Sequence, residues 1–146
     1  MCARTRTGRA WLVAAVESGA TRLTRVAHRS PARLLPMRTA GADSVGAAAC
    51  ALGSYGGGLL GGDDVAVDVT VSRGATLALT TQASTKIYRT KPDGRPASQH
   101  LRAAVGPEAL LVVAPDPIVP YARSAYVGQQ TFDLAPGASL VAIDWF

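Results

Sequence analysis

The chain has 146 residues, of which 48% are hydrophobic and 17% are charged, and its net charge is +5. That length is typical of one domain, and the apolar content excludes an intrinsically disordered protein. The charge is uneven, because residues 1–38 contain eight arginines and a single acid. These arginines alternate with apolar residues as on a solvated strand face, and no nucleic-acid-binding motif accompanies them. No nucleic-acid partner is therefore predicted.

The concentration of basic residues near the N-terminus suggests a domain boundary. Residues 1–10 are predicted to be a disordered basic segment, and residues 11–146 a single β domain. A targeting peptide is an alternative for the first twenty residues, since three arginines precede the short apolar run AWLVAAV. Cys2 and Cys50 give no disulfide framework, which favours a reducing, cytoplasmic setting. No apolar run approaches the roughly 18–20 residues of a membrane span, so no membrane partner is expected.

Alternation of apolar and polar residues predicts strands along most of the chain. In residues 65–71, for example, all four valines lie on one face. No amphipathic helix is evident, and residues 37–49 are predicted to form a loop. The sequence therefore predicts an all-β fold, with strands at 21–28, 65–71, 76–82, 99–105, 109–114, 129–134 and 139–145.

Three segments resemble one another: 71–82, 104–116 and 134–145. Each contains a strand end, a Gly or Pro corner, an alanine and then an apolar strand, and the matching alanines are Ala75, Ala109 and Ala138. Such a repeated unit is typical of stacked coils. We predict a β-solenoid, which the chain would leave incomplete, with a β-sandwich as the alternative.

A glycine-rich run, SYGGGLLGGDD, occupies residues 54–64. It satisfies G-x-G-x-x-G, but a β-alternating segment follows instead of the helix that a dinucleotide site requires. We predict a corner where backbone approaches backbone, ending at a carboxylate that holds the corner or lines a channel. Valine at position 57 or 58 is expected to prevent soluble expression. The corner residues are Gly56, Gly57, Gly58, Gly61 and Gly62, followed by Asp63.

Two further segments carry polar groups. One is rich in hydroxyls and contains Thr81, Gln82, Thr85, Lys86 and Tyr88, although it also fits a polar strand end and turn. The other holds Asp116 between two prolines, in a stiff loop or edge. No zinc-ligand spacing and no hydrolase or protease motif is present. The sequence therefore predicts a protein that is not an enzyme.

Taken together, these motifs resemble the UreD (UreH) family of urease accessory proteins. The matching pieces are SPARLLP, SYGGGLLGGD, RGATLALTTQASTKIYR, LLVVAPDPIVPYARSAYVGQQ and LAPGASLVAIDW, in the family's order, and AWLVAAVESGATRLTRVAHRSP fits its opening strand pair. The resemblance covers about residues 10–146, and the IDWF ending looks eukaryotic. Members continue well beyond this point, so the chain resembles an N-terminal half or a truncated member.

The resemblance implies a scaffold or chaperone that assists nickel insertion into the urease metallocentre. The implied partners are apo-urease, a UreF-like protein and a UreG-like GTPase. The resemblance implies no tightly bound cofactor, but nickel(II) in transit through the protein. Under this hypothesis Asp63 is the first choice for a carboxylate that contacts nickel, and Asp116 with the segment from Thr85 to Tyr88 the second.

Two alternatives come from other classes. One is a non-catalytic β-solenoid interaction module that uses the basic N-terminus, for which salt-dependent polyanion binding would argue. The other is a carbohydrate-active β-solenoid enzyme, which would need clustered acids and aromatic residues. Aromatic residues make up only 5% of the chain, which disfavours the enzyme.

Overall fold

The computed structural model describes residues 7–38 and 46–145. These residues form thirteen strands and no helix, so the prediction of an all-β fold is confirmed. None of the described residues belongs to a helix that could span a membrane. The strands are β1 (Thr7–Glu17), β2 (Ala20–Arg29), β3 (Ala32–Met37), β4 (Ala47–Ser54), β5 (Gly58–Leu59), β6 (Asp64–Val71), β7 (Thr76–Thr81), β8 (Thr85–Ile87), β9 (Ala97–Val105), β10 (Leu110–Val113), β11 (Ile118–Pro120), β12 (Tyr126–Leu134) and β13 (Ser139–Ala142).

The strands form three open sheets. The first has the order β12-β9-β6-β1-β2, the second β13-β10-β7-β4-β3, and the third β11-β8-β5. From β4 onward the chain visits the second, third and first sheets in turn, three times, and all pairs between successive visits are parallel. The first two sheets are mixed, because β1 with β2 and β3 with β4 pair antiparallel, whereas the third is parallel.

The matching alanines of the three similar segments lie at equivalent corners. Ala75 and Ala109 each close a turn, through N–H bonds of 3.0 and 3.2 Å to Ser72 and Gly106. The carbonyl of Ala75 accepts from Leu110 N at 2.9 Å, and that of Ala109 accepts from Ser139 N at 2.9 Å. The repeat detected in the sequence therefore corresponds to corners that hydrogen-bond to one another. Small side chains are needed there, since Ala75 and Ala109 are almost fully buried.

The core lies between the sheets and consists of small and medium apolar side chains. In β6 the four valines point inward and are at most 2% exposed. Leu12, Leu77 and Leu111 complete the centre from three other strands. This alternation is what the sequence pattern of residues 65–71 predicts.

The predicted strands agree with observed ones, but several boundaries differ. β1 begins at Thr7, so residues 7–10, assigned from sequence to a disordered segment, belong to a strand; residues 1–6 lie outside the described residues. The predicted loop 37–49 is wrong at both ends, because Met37 belongs to β3 and residues 47–49 to β4; its residues 39–45 lie outside the described residues. The β-solenoid remains a prediction, because the sheets are open.

Candidate functional site

The glycine run forms the connection from β4 through β5 to β6. Gly56, Gly57 and Gly62 adopt positive φ angles of 98°, 73° and 89°, and a Cβ added at any of them would meet no atom within 4 Å. Glycine is required at these three positions by backbone conformation. The structure therefore has a corner at the predicted place, and β6, not a helix, follows it.

Gly58 and Gly61 are needed for a different reason, namely close approach. A Cβ on Gly58 would collide with the carbonyl oxygen of Lys86 and lie 2.7 Å from Cε2 of Tyr88. A Cβ on Gly61 would lie 3.1 Å from the carbonyl oxygen of Arg95. Both glycines thus let the corner pack against the next pass of the chain.

Asp63 is 2% exposed and ends the corner. Its Oδ2 accepts a hydrogen bond of 2.9 Å from Leu60 N, and its own N–H donates to the Leu60 carbonyl at 2.9 Å. Its carbonyl accepts from Ser98 N at 2.8 Å. The carboxylate therefore holds the turn closed. The next residue, Asp64, accepts from Ser98 Oγ at 2.8 Å and lies 3.7 Å from Nε2 of His100.

Asp116 lies in the loop between β10 and β11 and is hydrogen-bonded to Thr81. The Thr81 hydroxyl accepts from Asp116 N at 2.7 Å and donates to Asp116 Oδ2 at 3.0 Å. The two contacts fix the carboxylate at the end of β7, where the proline-flanked segment passes. Two separate sequence predictions, the hydroxyl-rich segment and the proline-flanked acid, therefore meet at one place.

Thr81 and Asp116 line a cavity of about 420 Å³, to which all three sheets contribute. Its other polar walls are Thr80, Thr85, Gln99, Gln129, Gln130, Tyr126 and Asp144, and Trp145 stands at its edge. The described residues that line it include two carboxylates and no lysine, arginine or histidine. Cations are therefore favoured in this cavity over anions.

Tyr126 and Trp145 are the aromatic residues that line the cavity. Burial, and then the negative charge of Asp144, raise the pKa of Tyr126 to about 12, so its phenol is neutral at physiological pH. Trp145 Nε1 donates to the Pro115 carbonyl at 2.7 Å, and the Trp145 carbonyl accepts from Ile118 N at 3.2 Å. These bonds hold the segment after β13 against the loop that carries Asp116.

A smaller cavity of about 20 Å³ adjoins the larger one. Both are lined by Leu52, Thr85 and Gln99, and the smaller one also by Leu59 of β5. The interior space thus extends from the Asp116 cavity to β5, which lies within the glycine run. Asp63 lines neither cavity, so the structure does not bring the two predicted carboxylates together in one site.

The remaining residues of the hydroxyl-rich segment lie elsewhere. Gln82 is exposed, with Oε1 beside Gly53. Lys86 is exposed on β8. Tyr88 donates its backbone N–H to the Leu59 carbonyl at 2.9 Å, and its ring meets that of Tyr121 edge-on at 5.5 Å. Of this segment, therefore, only Thr81 and Thr85 face the cavity.

No group of three or more His, Cys, Asp or Glu side chains that could hold a metal ion occurs among residues 7–38 and 46–145. Cys50 is a free, fully buried thiol. Burial raises its pKa to about 11, although a hydrogen bond with the Leu35 backbone opposes the shift. It therefore stays protonated at neutral pH and is a poor metal ligand, since metals bind the thiolate.

The sequence of this chain matches a family of known proteins. The family model described as "UreD urease accessory protein" matches residues 6–146. The chain belongs to the UreD family. The resemblance noted in the sequence motifs is thereby confirmed.

Relatives of this UreD-family chain occur in plants and bacteria. Urease accessory protein D of Oryza sativa subsp. indica is 38% identical over 94% of this chain and 47% of its own length. Urease accessory protein UreD of Sorangium cellulosum is 42% identical over 87% of this chain and 38% of its own length. Urease accessory protein UreD of Anaeromyxobacter sp. is 48% identical over 62% of this chain and 30% of its own length. The chain spans about half the length, or less, of these curated relatives.

Sequence reasoning missed part of the cavity of this UreD-family chain. Asp144, Tyr126 and Gln99 were not singled out, because each sits in an ordinary strand pattern or strand end. One signal was available: residues one coil apart meet, so Thr81 and Asp116, 35 residues apart, bond to each other, as Ser98 and Asp64 do at 34 residues. Applying that period to every polar strand end would have grouped several of these side chains.

Proposed function

We propose that this chain takes part in urease maturation, as a non-catalytic scaffold that guides nickel(II) to the apo-urease metallocentre. Membership of the UreD family supports the process, because its relatives carry the name urease accessory protein. The observation that carries the nickel step is the cavity between the sheets, which has Asp116 and Asp144 but no basic side chain.

The chemistry of that cavity suits an ion in transit. Its donors are carboxylate, hydroxyl and amide oxygens from Asp116, Thr81, Thr85, Gln99 and Gln130, whereas the side-chain oxygen of Gln129 lies 3.3 Å from His100 Nδ1. Nickel binds nitrogen and sulfur ligands more tightly than such oxygens, so the cavity would attract the ion by charge and release it again. A tightly held cofactor is not part of this proposal.

Asp63 has a second proposed role, as a carboxylate that contacts nickel, although it lines neither cavity. Its contacts with Leu60 argue that it first of all holds the corner. Replacement by alanine would disturb the fold and transport together. Asparagine keeps an acceptor for Leu60 N but removes the charge, and it therefore separates the two roles.

We further propose that the three passes through the sheets are turns of a β-solenoid, which offers stacked outer faces to partner proteins. The parallel register of β4, β7, β10 and β13 supports this architecture. The partners proposed for these faces are apo-urease, a UreF-like protein and a UreG-like GTPase. The proposed setting is the cytoplasm, where a free thiol such as Cys50 stays reduced.

The lining of the cavity supports the competing enzyme hypothesis in one respect, whereas family membership argues against it. Two acids and two aromatic residues, Tyr126 and Trp145, line the cavity, as a carbohydrate-active enzyme would require. None of the relatives compared above is named as such an enzyme. The accessory role is therefore the better supported one.

The test is nickel loading of urease co-expressed with the other accessory proteins and this chain. We expect the nickel content per urease to fall when the chain is omitted, and to fall several-fold with Asp116→Asn. That variant keeps the acceptor for the Thr81 hydroxyl and removes only the charge. Asp93→Asn, on an exposed turn outside the cavity, is the matched control.

Loading that does not depend on the chain would refute the accessory role. If the nickel content of urease fell equally with Asp116→Asn and Asp93→Asn, the role of the cavity would be refuted. The same conclusion would follow if neither variant lowered it. Urea unfolding and a pull-down with urease show whether each variant folds and binds. A loss of loading in a variant that fails either control would count against a transport role for Asp116.

A further inference from the structure

The outward side of the β1–β2 hairpin carries a row of arginines. Arg9, Arg22, Arg25 and Arg29 are exposed, and they alternate with inward residues such as Leu12. The register places Arg9 opposite Arg29, Val13 opposite Arg25, and Ala15 opposite Arg22. We call this surface, with Trp11 at its centre, the arginine face.

The arrangement carries an electrostatic cost, because arginines face one another across the hairpin. Like charges directly opposite on neighbouring strands are destabilising, and Arg9 faces Arg29 in that way. The ion pairs that the described residues form with one another join Arg73 to Glu108 and His100 to Asp64. Asp68 lies beside Trp11 in the register, but within that part of the chain neither it nor another carboxylate forms an ion pair with Arg9, Arg22, Arg25 or Arg29.

The need to protect an edge strand with charge does not explain why the basic residues of this face are all arginines. β2 is the outermost strand of its sheet, and exposed edges are commonly blunted by charge, lysine above all. Residues 1–38 contain eight arginines and no lysine. Arginine differs from lysine in its planar, bidentate pairing with carboxylates and in its stacking on aromatic rings.

The centre of the face resembles a protein-binding surface more than a nucleic-acid-binding one. Arg25 lies 5.8 Å from the ring centre of the half-buried Trp11, and the half-buried Val13 and Ala15 lie beside it. Tryptophan and arginine dominate the binding energy of protein interfaces, where lysine is depleted. A face whose cations are separated by apolar gaps does not match the evenly spaced charges of a phosphate backbone.

We propose that the arginine face is a docking surface for a partner protein that presents clustered carboxylates. Arg9, Arg25 and Arg29 pair with those carboxylates, and Trp11 packs against the apolar part of the partner. This surface lies on the outside of the first sheet, whereas Asp116 and Asp144 line the space within. The proposal concerns binding and is independent of nickel transport.

The experiment uses poly-L-glutamate as the probe and duplex DNA as the competing polyanion, each titrated into the whole chain. Trp11 fluorescence in a Trp145→Phe background reports binding at the face itself. The test variant is Arg9→Lys/Arg25→Lys/Arg29→Lys, which keeps the net charge at +5. Arg95→Lys, on an exposed loop, is the matched control.

We expect poly-L-glutamate to change Trp11 fluorescence, to bind less tightly as salt rises, and to bind about tenfold more weakly to the triple variant, equivalent to about 1.4 kcal/mol. The control should match the unsubstituted chain. Equal binding by the triple variant, no change in Trp11 fluorescence, or tighter binding of DNA at the same salt would each overturn the proposal. Because no urease or nickel is present, these outcomes do not depend on the maturation function.

Discussion

Gly58→Ala is the sharpest test of how the glycine corner packs. The added methyl group would collide with the Lys86 carbonyl oxygen and approach Tyr88 Cε2 to 2.7 Å. The oxygen belongs to the backbone of β8, which pairs with β5 at this residue, so the two strands must separate. Overpacking costs about 1–3 kcal/mol, and loss of the Tyr88 N–H bond to Leu59 about 1 kcal/mol more.

The sum, about 2–4 kcal/mol, is a large share of the roughly 5–15 kcal/mol by which a domain is stable. Gly57→Ala is the matched comparison, because space around its Cβ is open and only the φ of 73° opposes it. That strain costs about 1–2 kcal/mol. The sequence alone predicted the same failure for substitutions at both positions; the structure predicts that position 58 is the more sensitive.

The assay is urea unfolding of the chain and both variants, followed by far-ultraviolet circular dichroism. We expect Gly58→Ala to unfold at clearly lower urea than Gly57→Ala, with unchanged m-values. If Gly57→Ala were as destabilised as Gly58→Ala, or if neither lost stability, the close approach of β5 to β8 would be wrong.

Three further predictions follow from individual side chains. Thr81→Val, which removes both bonds to Asp116, should cost about 1–2 kcal/mol in urea unfolding, whereas Thr81→Ser should cost less; equal costs would contradict the hydrogen bonds. Burial raises the pKa of Cys50 from 9.0 to about 11, so the contribution of the thiol to stability is intact below pH 9 and is lost as pH rises towards 11. Cys50→Ala should therefore reduce the fall in unfolding free energy between pH 8 and 10 by about 1.4 kcal/mol. An unaltered fall would show that the thiol does not titrate in this range. Asp63→Asn should destabilise less than Asp63→Ala in urea unfolding, since an acceptor for Leu60 N remains; equal stability of the two would remove the corner-holding role.

The longer strands and the repeated corner were predictable because they follow simple physical rules. In residues 65–71 a period of two places the valines on the buried face, and small alanines recur where corners stack. The third sheet was not predictable in this way. Its strands, β5, β8 and β11, have two or three residues each, which is too short for any period to appear.

The start of β1 was misjudged because charge was taken as a sign of disorder. Arg9 is exposed on one side of β1 while Ala10 is fully buried on the other, so a basic segment can still be half of a strand. The candidate site was predictable only as separate pieces. Asp116 and the hydroxyl-rich segment were each identified, but their contact depends on which coil lies above which, and that register comes from packing of the whole core.

Nickel titration of the chain itself tests most directly whether the acid-lined cavity accepts the ion. Trp145 stands at the cavity edge, whereas Trp11 lies on the outer side of the first sheet, so the paramagnetic ion should quench one tryptophan and not the other. In a Trp11→Phe background we expect nickel(II) to quench Trp145 fluorescence reversibly, and Asp116→Asn to weaken that quenching while Asp93→Asn does not. Absence of quenching, or equal quenching in both variants, would contradict a nickel route through this cavity.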